Sequence, residues 1–330
     1  IEIPRSLWGR WKSLDNHRDA ITSLWVKKQS NTNKLISAII NNHRGTSGSM
    51  GNRLVYLQPV SRSTSLLMGV KEILYRGRTK YQEVEIVVFE EYGLSLILDG
   101  LVQSTEADEA IYHEALVHPA MATHGSPERI LIIGGGEGYT LREVLRYSSV
   151  KEAVMVDIDG ELVEIAKKLL AKIHRNSFED PRAKVVIMDG FEYVEKTKNM
   201  FDVIIVDLTD PYGPEIGKRL YTEEFYRKLY SITSEKGVVV TQAGCAFYYP
   251  EYYRNIYGAM GRVFRYARGY SMWIPSFGYA VSYVIASKHR DPASLSESEV
   301  NEILRRNEVD GLKIYSGRTH EGLMKTPVLI

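Results

Sequence analysis

The chain has 330 residues, of which 44% are hydrophobic and 25% are charged, a composition typical of a soluble globular protein with one large domain or a main domain and an appendage. The net charge of +1 combines a basic first segment with a slightly acidic remainder, which argues against nucleic acid as a partner and favours a cationic ligand. No apolar run approaches the ~20 residues of a membrane span, so no membrane partner is expected.

Cysteine and histidine usage narrow the chemistry further. Cys245 is the only cysteine, which excludes an internal disulfide and indicates a reducing, cytoplasmic location. The eight histidines show no metal-ligand spacing, so the sequence predicts no metal site.

Residues 1–53 differ from the rest of the chain because they hold nine Lys/Arg against three Asp/Glu and are rich in Asn and Ser. Two interpretations remain open for this segment. It is either a basic N-terminal extension, with weak helical periodicity over 21–40, or a non-native or flexible start that precedes a chain beginning near Met50.

Residues 54–106 have the alternating pattern of strands and predict a small antiparallel β domain, with a hairpin that turns at 91–93. Residues 107–330 then alternate between helices and strands, which predicts a Rossmann-like α/β domain with a mostly parallel sheet covered by helices on both faces. The predicted helices are 108–123, 140–147, 161–172, 222–234 and 251–264, and the predicted strands are 129–133, 153–157, 184–188, 202–207, 236–242 and 279–286.

The most informative stretch is 130–138, an apolar run that ends in Gly134-Gly135-Gly136-Glu137-Gly138. Glycines in a strand–turn–helix segment let the backbone lie against a nucleoside. Asp157 closes the next strand, where a carboxylate can accept hydrogen bonds from ribose hydroxyls, although it could also be a turn residue before the next helix. Asp189-Gly190 follows the third strand, where an adenine amino group is expected.

Glu137 indicates which nucleoside is bound. A carboxylate in this loop would repel the pyrophosphate of a dinucleotide or the carboxylate of S-adenosylmethionine. It suits a sulfonium nucleoside whose tail ends in an ammonium, as in decarboxylated S-adenosylmethionine. Because methyltransferases also carry acidic residues near this loop, the argument leaves a methyltransferase open.

A second acidic motif, Asp207-Leu208-Thr209-Asp210, follows the fourth strand and continues into a loop with two prolines up to 214. One carboxylate can accept a proton from an attacking amine while the other holds an ammonium. The alternative is that this segment is only a turn. We expect the acidic pair to lie beside the nucleoside site, because both follow strands of one parallel sheet.

These motifs resemble the polyamine aminopropyltransferases, the spermidine and spermine synthase family. The resemblance runs from about residue 74 to 287, and the matching segments are 78–82, 98–106, 112–114, 134–138, 189–190, 207–214, Gln242 and 274–277. It implies transfer of an aminopropyl group from decarboxylated S-adenosylmethionine, used as co-substrate without a bound cofactor, to an amine, with release of methylthioadenosine.

The resemblance also implies roles for individual residues and a homodimer or homotetramer. Asp207 and Tyr112 would orient and deprotonate the attacking amine. The donor site would consist of Gln82, Gln103, Gly134, Gly136, Glu137, Asp157, Ile158, Asp189 and Gly190. The acceptor site would consist of His113, Asp210, Gln242 and Trp273.

Some positions depart from the usual spermidine synthase pattern. Glu137 in place of Asp, His113 after Tyr112, and the segment 241–244 look more like the thermospermine synthase branch, while Leu208 replaces a Ser. The acceptor therefore stays open among spermidine, putrescine, cadaverine, agmatine and norspermidine. A methyltransferase and a non-catalytic polyamine-binding protein are the alternative functions.

Overall fold

The computed structural model describes residues 54–212, 217 and 219–330. The predicted basic extension, residues 1–53, lies outside the described residues, as do 213–216 and 218 of the proline-containing loop. Within the described part of the chain, the strands form a five-stranded sheet followed by a seven-stranded sheet. This arrangement confirms the predicted fold class.

The first sheet is an antiparallel meander in which each strand pairs with the next one along the chain. The tight turn at Asp99-Gly100 has positive φ at both residues, 47° and 75°, as a two-residue hairpin turn requires. The strands are β1 (Leu54–Pro59), β2 (Ser65–Arg78), β3 (Glu83–Phe89), β4 (Gly93–Leu98) and β5 (Leu101–Thr105).

The second sheet has the order β11-β12-β10-β9-β6-β7-β8 and is parallel from β10 to β8, with β11 and β12 antiparallel at one edge. The chain builds outward from β6 to β8 and then returns to β9 on the other side of β6. The strands are β6 (Arg129–Gly134), β7 (Glu152–Asp157), β8 (Ala183–Ile187), β9 (Phe201–Asp207), β10 (Thr233–Gln242), β11 (Tyr266–Ile274) and β12 (Tyr279–Ser287). Ligands bind at such a switch point in open α/β sheets, here between the carboxyl ends of β6 and β9.

Helices cover both faces of this sheet, which explains the continuous apolar runs of its central strands. Alternate residues of β6, Ile130 and Ile132 on one face and Leu131 and Ile133 on the other, enter two separate hydrophobic cores. The helices are α1 (Glu109–His124), α2 (Tyr139–Leu145), α3 (Gly160–Leu169), α4 (Ala171–His174), α5 (Gly190–Lys196), α6 (Glu223–Ser231), α7 (Pro250–Val263), α8 (Glu297–Arg306) and α9 (Gly317–Lys325). Among the helices that the structure describes, none combines the length and apolar character that crossing a membrane requires.

The sequence pattern did not predict every element. Strand β11 was missed because its sequence, YARGYSMWI, mixes Arg, Gly and Ser with aromatic residues at the edge of the sheet. Helices α8 and α9 were missed because each buries only three residues. The predicted helix 222–234 is too long, since α6 ends at Ser231 and β10 begins at Thr233.

A buried carboxylate fastens the last part of the chain to α1. Glu114 is 1% exposed, and its two oxygens accept hydrogen bonds from the backbone N–H groups of Lys313, Ile314 and Tyr315 at 2.7–2.8 Å. Glu114 therefore fixes the backbone of 313–315 between α8 and α9, while Arg146 binds the Asp310 carbonyl oxygen of the same segment at 2.9 Å.

We expect Glu114→Ala to lower the free energy of unfolding by about 3 kcal/mol, because three backbone donors lose a charged acceptor and gain no replacement. Urea denaturation of both proteins measures this change. As a control, Glu302→Ala removes an exposed carboxylate that pairs with Arg305, and we expect it to change the free energy of unfolding by less than about 1 kcal/mol. Equal losses in the two variants would contradict the anchoring role of Glu114.

Candidate active site

The glycine loop and the end of β9 are in direct backbone contact. In the β6–β9 register Gly134 lies opposite Asp207, and the N–H of Gly135 donates to the Asp207 carbonyl oxygen at 2.9 Å. Gly134 has φ = 86°, and a Cβ on it would lie 2.0 Å from that same oxygen. Only glycine can fill this position, so the predicted loop and the predicted base are held together as one unit.

The Asp207 carboxylate is held by a hydrogen bond on each oxygen. The Tyr112 hydroxyl donates to Oδ1 at 2.9 Å, and the Thr140 hydroxyl donates to Oδ2 at 2.6 Å. Burial and the negative charge of Glu137 raise the pKa of Asp207 to about 6, while His113 and the two hydroxyls oppose the rise. The group is therefore mostly ionised at neutral pH yet close to its titration range, as a general base should be.

His113 connects the interior to the cleft. It is fully buried on α1, with Nδ1 2.7 Å from the Glu109 carbonyl oxygen and 3.2 Å from the Glu109 carboxylate. Its Nε2 faces Glu137 Oε1 at 3.4 Å. Burial alone would lower the pKa of His113, but the carboxylates of Glu109, Glu137 and Asp207 outweigh it and raise the pKa to about 10.

His113, Glu137 and Asp207 form the centre of the site. One side-chain N or O atom from each lies within 4.8 Å of the others, a spacing that a metal ion could also bridge. A protonated imidazole has no lone pair at Nε2, so it cannot be a ligand in that state. Two carboxylates beside one histidine leave net negative charge whether the imidazole is neutral or protonated, and this charge suits a cation such as an organic ammonium group.

The end of β7 supplies the predicted ribose ligand. A Cβ on Gly136 would lie 2.8 Å from Asp157 Oδ2, so the loop and this carboxylate are in close contact. Asp157 Oδ1 accepts a hydrogen bond from the N–H of Asp159 at 2.8 Å, across Ile158. Burial raises the pKa of Asp157 to about 7, and the negative charges of Glu137 and Asp159 add to the rise. A group with this pKa favours hydrogen-bond donors or cations as neighbours.

Asp159 was not predicted as a site residue, although the structure gives it a central position. Its Oδ2 accepts hydrogen bonds from Thr79 Oγ1 at 2.6 Å and Gln82 Nε2 at 2.8 Å, and its Oδ1 caps α3 through Leu162 N at 3.1 Å. The carboxylate thus joins the β2–β3 turn to the α/β sheet. It also fixes the orientation of the Gln82 amide: because the amide nitrogen binds Asp159, the amide oxygen must point away from that carboxylate. In sequence, an acid before Gly160 has only the appearance of a helix cap.

The third strand end is occupied by protein contacts. Asp189 Oδ1 caps α5 by accepting from Phe191 N and Glu192 N at 2.9 and 3.1 Å, and Oδ2 pairs with Arg219. A Cβ on Gly190 would lie 2.5 Å from Ile133 Cγ2, so this helix begins close against β6. The Gln103 amide donates to the Leu101 carbonyl at 3.2 Å. The donor-binding roles of these residues stay predictions.

Two of the predicted acceptor residues, Asp210 and Gln242, differ in what their side chains contact. Burial raises the pKa of Asp210 to about 6 against hydrogen bonds from Tyr212 and Tyr279, the latter at 3.4 Å. The Gln242 amide nitrogen donates to the Leu208 carbonyl and the Tyr221 hydroxyl, and its oxygen accepts from Gly244 N, each at 2.7 Å. Gln242 therefore shapes the loop around Asp210 through contacts within the protein.

Trp273 does not join the cluster. It is 58% exposed on β11, whereas its neighbours Met272 and Ile274 pack into the core on the α1 side. Successive side chains of a strand point to opposite faces, so Trp273 faces away from that side. Tyr279, which pairs with Ile274 across the strands, supplies the aromatic contact to Asp210 instead. The acceptor role of Trp273 stays a prediction that its placement does not support.

Two further residues of the site were missed from the sequence. Thr140 lies in the first turn of α2 and bonds Asp207 directly, and Glu109 at the start of α1 bonds His113. Glu109 also makes a two-point ion pair with Arg142, at 2.6 and 3.2 Å. Thr140 reaches Asp207 because α2 begins beside the end of β9, and Glu109 lies one helical turn before His113 on α1.

Comparisons with known proteins agree with this geometry. Residues 109–296 match the family profile described as the spermine/spermidine synthase domain, and residues 59–106 match the spermidine synthase tetramerisation domain. The chain is 50% identical over 279 residues to a polyamine aminopropyltransferase of Pyrobaculum aerophilum, covering 84% of this chain and 96% of that protein. It is 51% identical over 261 residues to polyamine aminopropyltransferase 1 of Hyperthermus butylicus, covering 78% and 89%.

Solved structures give the same assignment. A spermidine synthase in complex with the transition-state analogue AdoDATO superposes with a TM-score of 0.78, and the spermidine synthase of Thermotoga maritima with 0.77. Each is 35% identical, and each comparison covers 87% of this chain and 96% of the solved chain. The family predicted from the motifs is thereby confirmed: the chain belongs to the spermine/spermidine synthase family of polyamine aminopropyltransferases.

Proposed function

We propose that this transferase moves an aminopropyl group from decarboxylated S-adenosylmethionine to an amine in polyamine biosynthesis. The observation that carries the proposal is the convergence of Glu137, His113 and Asp207 within 4.8 Å at the switch point of the sheet. The Glu137 side chain is 14% exposed, with Oε1 3.4 Å from His113 Nε2. A similar spermidine synthase has been solved with AdoDATO, a transition-state analogue.

The donor would lie along the glycine loop. Its ribose would bind Asp157, and its adenine would lie near Asp189 and Gly190, flanked by Gln103 and Ile158. Gln82, oriented by Asp159, would close the site from the β domain. Gly134 and Gly136 let the loop lie directly against Asp207 and Asp157, and the aminopropyl ammonium of a donor bound along this loop would then pair with Glu137.

The reaction is a nucleophilic displacement at the carbon bonded to the sulfonium. The lone pair of the amine forms the new C–N bond, the C–S bond breaks, and methylthioadenosine leaves with the electron pair. Asp207, held by Tyr112 and Thr140, accepts the proton that the amine loses. Because the sulfonium is already a good leaving group, most of the catalysis would come from positioning and charge placement.

The two alternatives account less well for the site. A methyltransferase would bring the carboxylate of S-adenosylmethionine against Glu137, and a polyamine-binding protein would have no use for a nucleoside loop joined to a base. Family membership argues against both.

Asp210 and its tyrosines would hold the far ammonium of the acceptor. Spermidine or putrescine is the proposed acceptor, with the thermospermine-type branch suggested by Glu137 and His113. A product assay with the donor and a panel of amines, resolved by mass, distinguishes them. Absence of methylthioadenosine with every amine, or methyl transfer from S-adenosylmethionine, would contradict the proposed function.

A homo-oligomer, dimer or tetramer, is also proposed. The match of residues 59–106 to the tetramerisation domain supports it, and so do the apolar side chains of Leu67, Ile73 and Leu74, which are 39–51% exposed on β2. Sedimentation equilibrium measures the number of subunits in the oligomer. A cytoplasmic location, and the absence of nucleic-acid and membrane partners, stay predictions from composition.

We expect Asp207→Asn to reduce kcat at least about 100-fold, because the amide cannot accept the proton of the amine. The affinity for the donor should remain near that of the wild type, which calorimetry of the donor complex measures. Asp210→Asn provides the matched control from the same loop, and we expect it to raise the KM of the acceptor more than it lowers kcat. Near-normal kcat in Asp207→Asn would remove Asp207 from the role of base.

We expect Glu137→Gln to weaken binding of decarboxylated S-adenosylmethionine by about 10- to 100-fold, the range of one charge-assisted hydrogen bond. Binding of S-adenosylmethionine should be unchanged or stronger, because its carboxylate no longer meets a like charge. Competition binding with both nucleosides measures the ratio, with the distant Glu302→Gln as control. If the ratio of the two affinities is unchanged, Glu137 does not recognise the ammonium.

A further inference from the structure

A chain of buried charged groups runs from the cleft into the interior. Glu137 contacts His113, His113 contacts Glu109, and Glu109 pairs with Arg142. Arg142 then pairs with Glu143 at 2.8 Å. The side chains of His113, Glu109, Arg142 and Glu143 are each at most 7% exposed, so water screens their interactions poorly.

The position of Glu109 determines the state of His113. Nδ1 of His113 lies between the backbone carbonyl and the carboxylate of Glu109, both of which are acceptors, so Nδ1 carries a proton. Nε2 lies 3.4 Å from a carboxylate oxygen of Glu137, within ion-pair distance, and has no hydrogen-bond partner among the described residues. Acceptors at Nδ1 and a carboxylate beside Nε2 favour the doubly protonated imidazolium over either neutral tautomer.

We propose that Glu109 is a positioning residue that holds His113 as an imidazolium beside Glu137 and Asp207, so that Asp207 stays ionised next to a like charge. This inference rests on the proposed function, in which Asp207 is the base. Glu137 is needed near Asp207 to bind the donor ammonium, yet its charge favours protonation of Asp207. The imidazolium offsets that effect from within 4.8 Å without blocking the cleft.

Other ionisable groups lie around the same cluster, and they do not replace His113. The tyrosines that face it have pKa values raised above their ordinary value, so they stay neutral in the working range. Asp157 and Asp210 have raised pKa values of about 7 and 6 and titrate near Asp207. The titratable groups that interact with His113 or Asp207 are Glu109 and Tyr112 from α1, Glu137 from the glycine loop, Tyr139 from α2, Tyr221 from the turn before α6 and Tyr283 from β12. Arg142 pairs with Glu109, and Asp157 and Asp210 lie at the neighbouring strand ends.

The sign of the effect follows from these charges. When His113 is neutral or absent, a favourable charge is lost beside Asp207, and the pKa of Asp207 rises. The base is then protonated over a wider acidic range, so activity is lost at higher pH. An opposite charge at this distance changes a carboxyl pKa by about one unit or more.

The first test is the pH profile of kcat at saturating donor and amine. We expect the acid limb to move up by about one pH unit in His113→Gln and in the same direction, by less, in Glu109→Gln. Comparing midpoints between variants cancels the shared titrations of Asp157 and Asp210. The matched control is Glu143→Gln, which also removes a buried carboxylate from Arg142 but does not touch His113. It should lower the thermal midpoint and leave the acid limb in place.

The second test is independent of activity and of whether a variant folds. In the full-length wild-type protein, ¹⁵N-edited NMR of the imidazole rings should show both nitrogens of His113 protonated at pH 8, with the signal assigned through the contacts of its ring with those of Tyr112 and Tyr139. A neutral His113 at pH 8, or acid limbs that superpose on that of the wild type in both His113→Gln and Glu109→Gln, would overturn the inference. Failure of the wild type to release methylthioadenosine would instead count against the proposed function.

Discussion

The structure of the site depends on one close backbone contact. Where β6 and β9 end, Gly134 lies against the Asp207 carbonyl so closely that no Cβ fits, and the next N–H donates to that carbonyl. This contact holds the glycine loop, the proposed nucleoside site, against Asp207, the proposed base. In the proposed reaction the donor carbon and the base would therefore share one rigid frame, whereas a base on a separate loop would have to be positioned by binding. In a reaction with a good leaving group, such a frame is the main contribution a protein can make.

The ends of β7 and β9 bring carboxylates together in a buried region, where water screens their charges poorly. Asp157, Asp207 and Asp210 all have pKa values raised by burial, to about 7, 6 and 6. A carboxyl with a higher pKa in the folded protein than in the unfolded chain binds more protons when folded, so stability falls as pH rises from about 4 to about 7. The three buried carboxylates therefore cost folding free energy at neutral pH. Cationic substrates relieve that cost, which couples the stability of the fold to the charge of its ligands.

The sequence predicted the parts of this arrangement that local chemistry determines. Buried strands that end in Gly134, Asp157 and Asp207 have a clear pattern, and the edge where they meet follows from parallel topology. Thr140 and Asp159 reach Asp207 and Gln82 through contacts between elements distant in the chain, so no local pattern marks those roles, whereas Glu109 lies one helical turn before His113 on α1. Trp273 was assigned to the acceptor site because it belongs to an aromatic run. That run lies on β11, a strand that was not predicted, and the alternation of side chains along a strand decides which aromatic residues face the site.

The two acids of the 207–210 motif differ in what surrounds them, and this difference predicts the orientation in which the acceptor amine binds. Asp207 lies beside His113, whose proposed imidazolium would disfavour an ammonium at that end and favour the neutral amine needed for attack. Asp210 is contacted by the uncharged hydroxyls of Tyr212 and Tyr279, so its ionised form gains most from an external cation. A polyamine would then be most stable with its neutral nitrogen at Asp207 and a charged nitrogen at Asp210. Asp207 and Asp210 would thus favour different charge states of the two substrate nitrogens, because only Asp207 has a buried cation, the proposed imidazolium of His113, beside it.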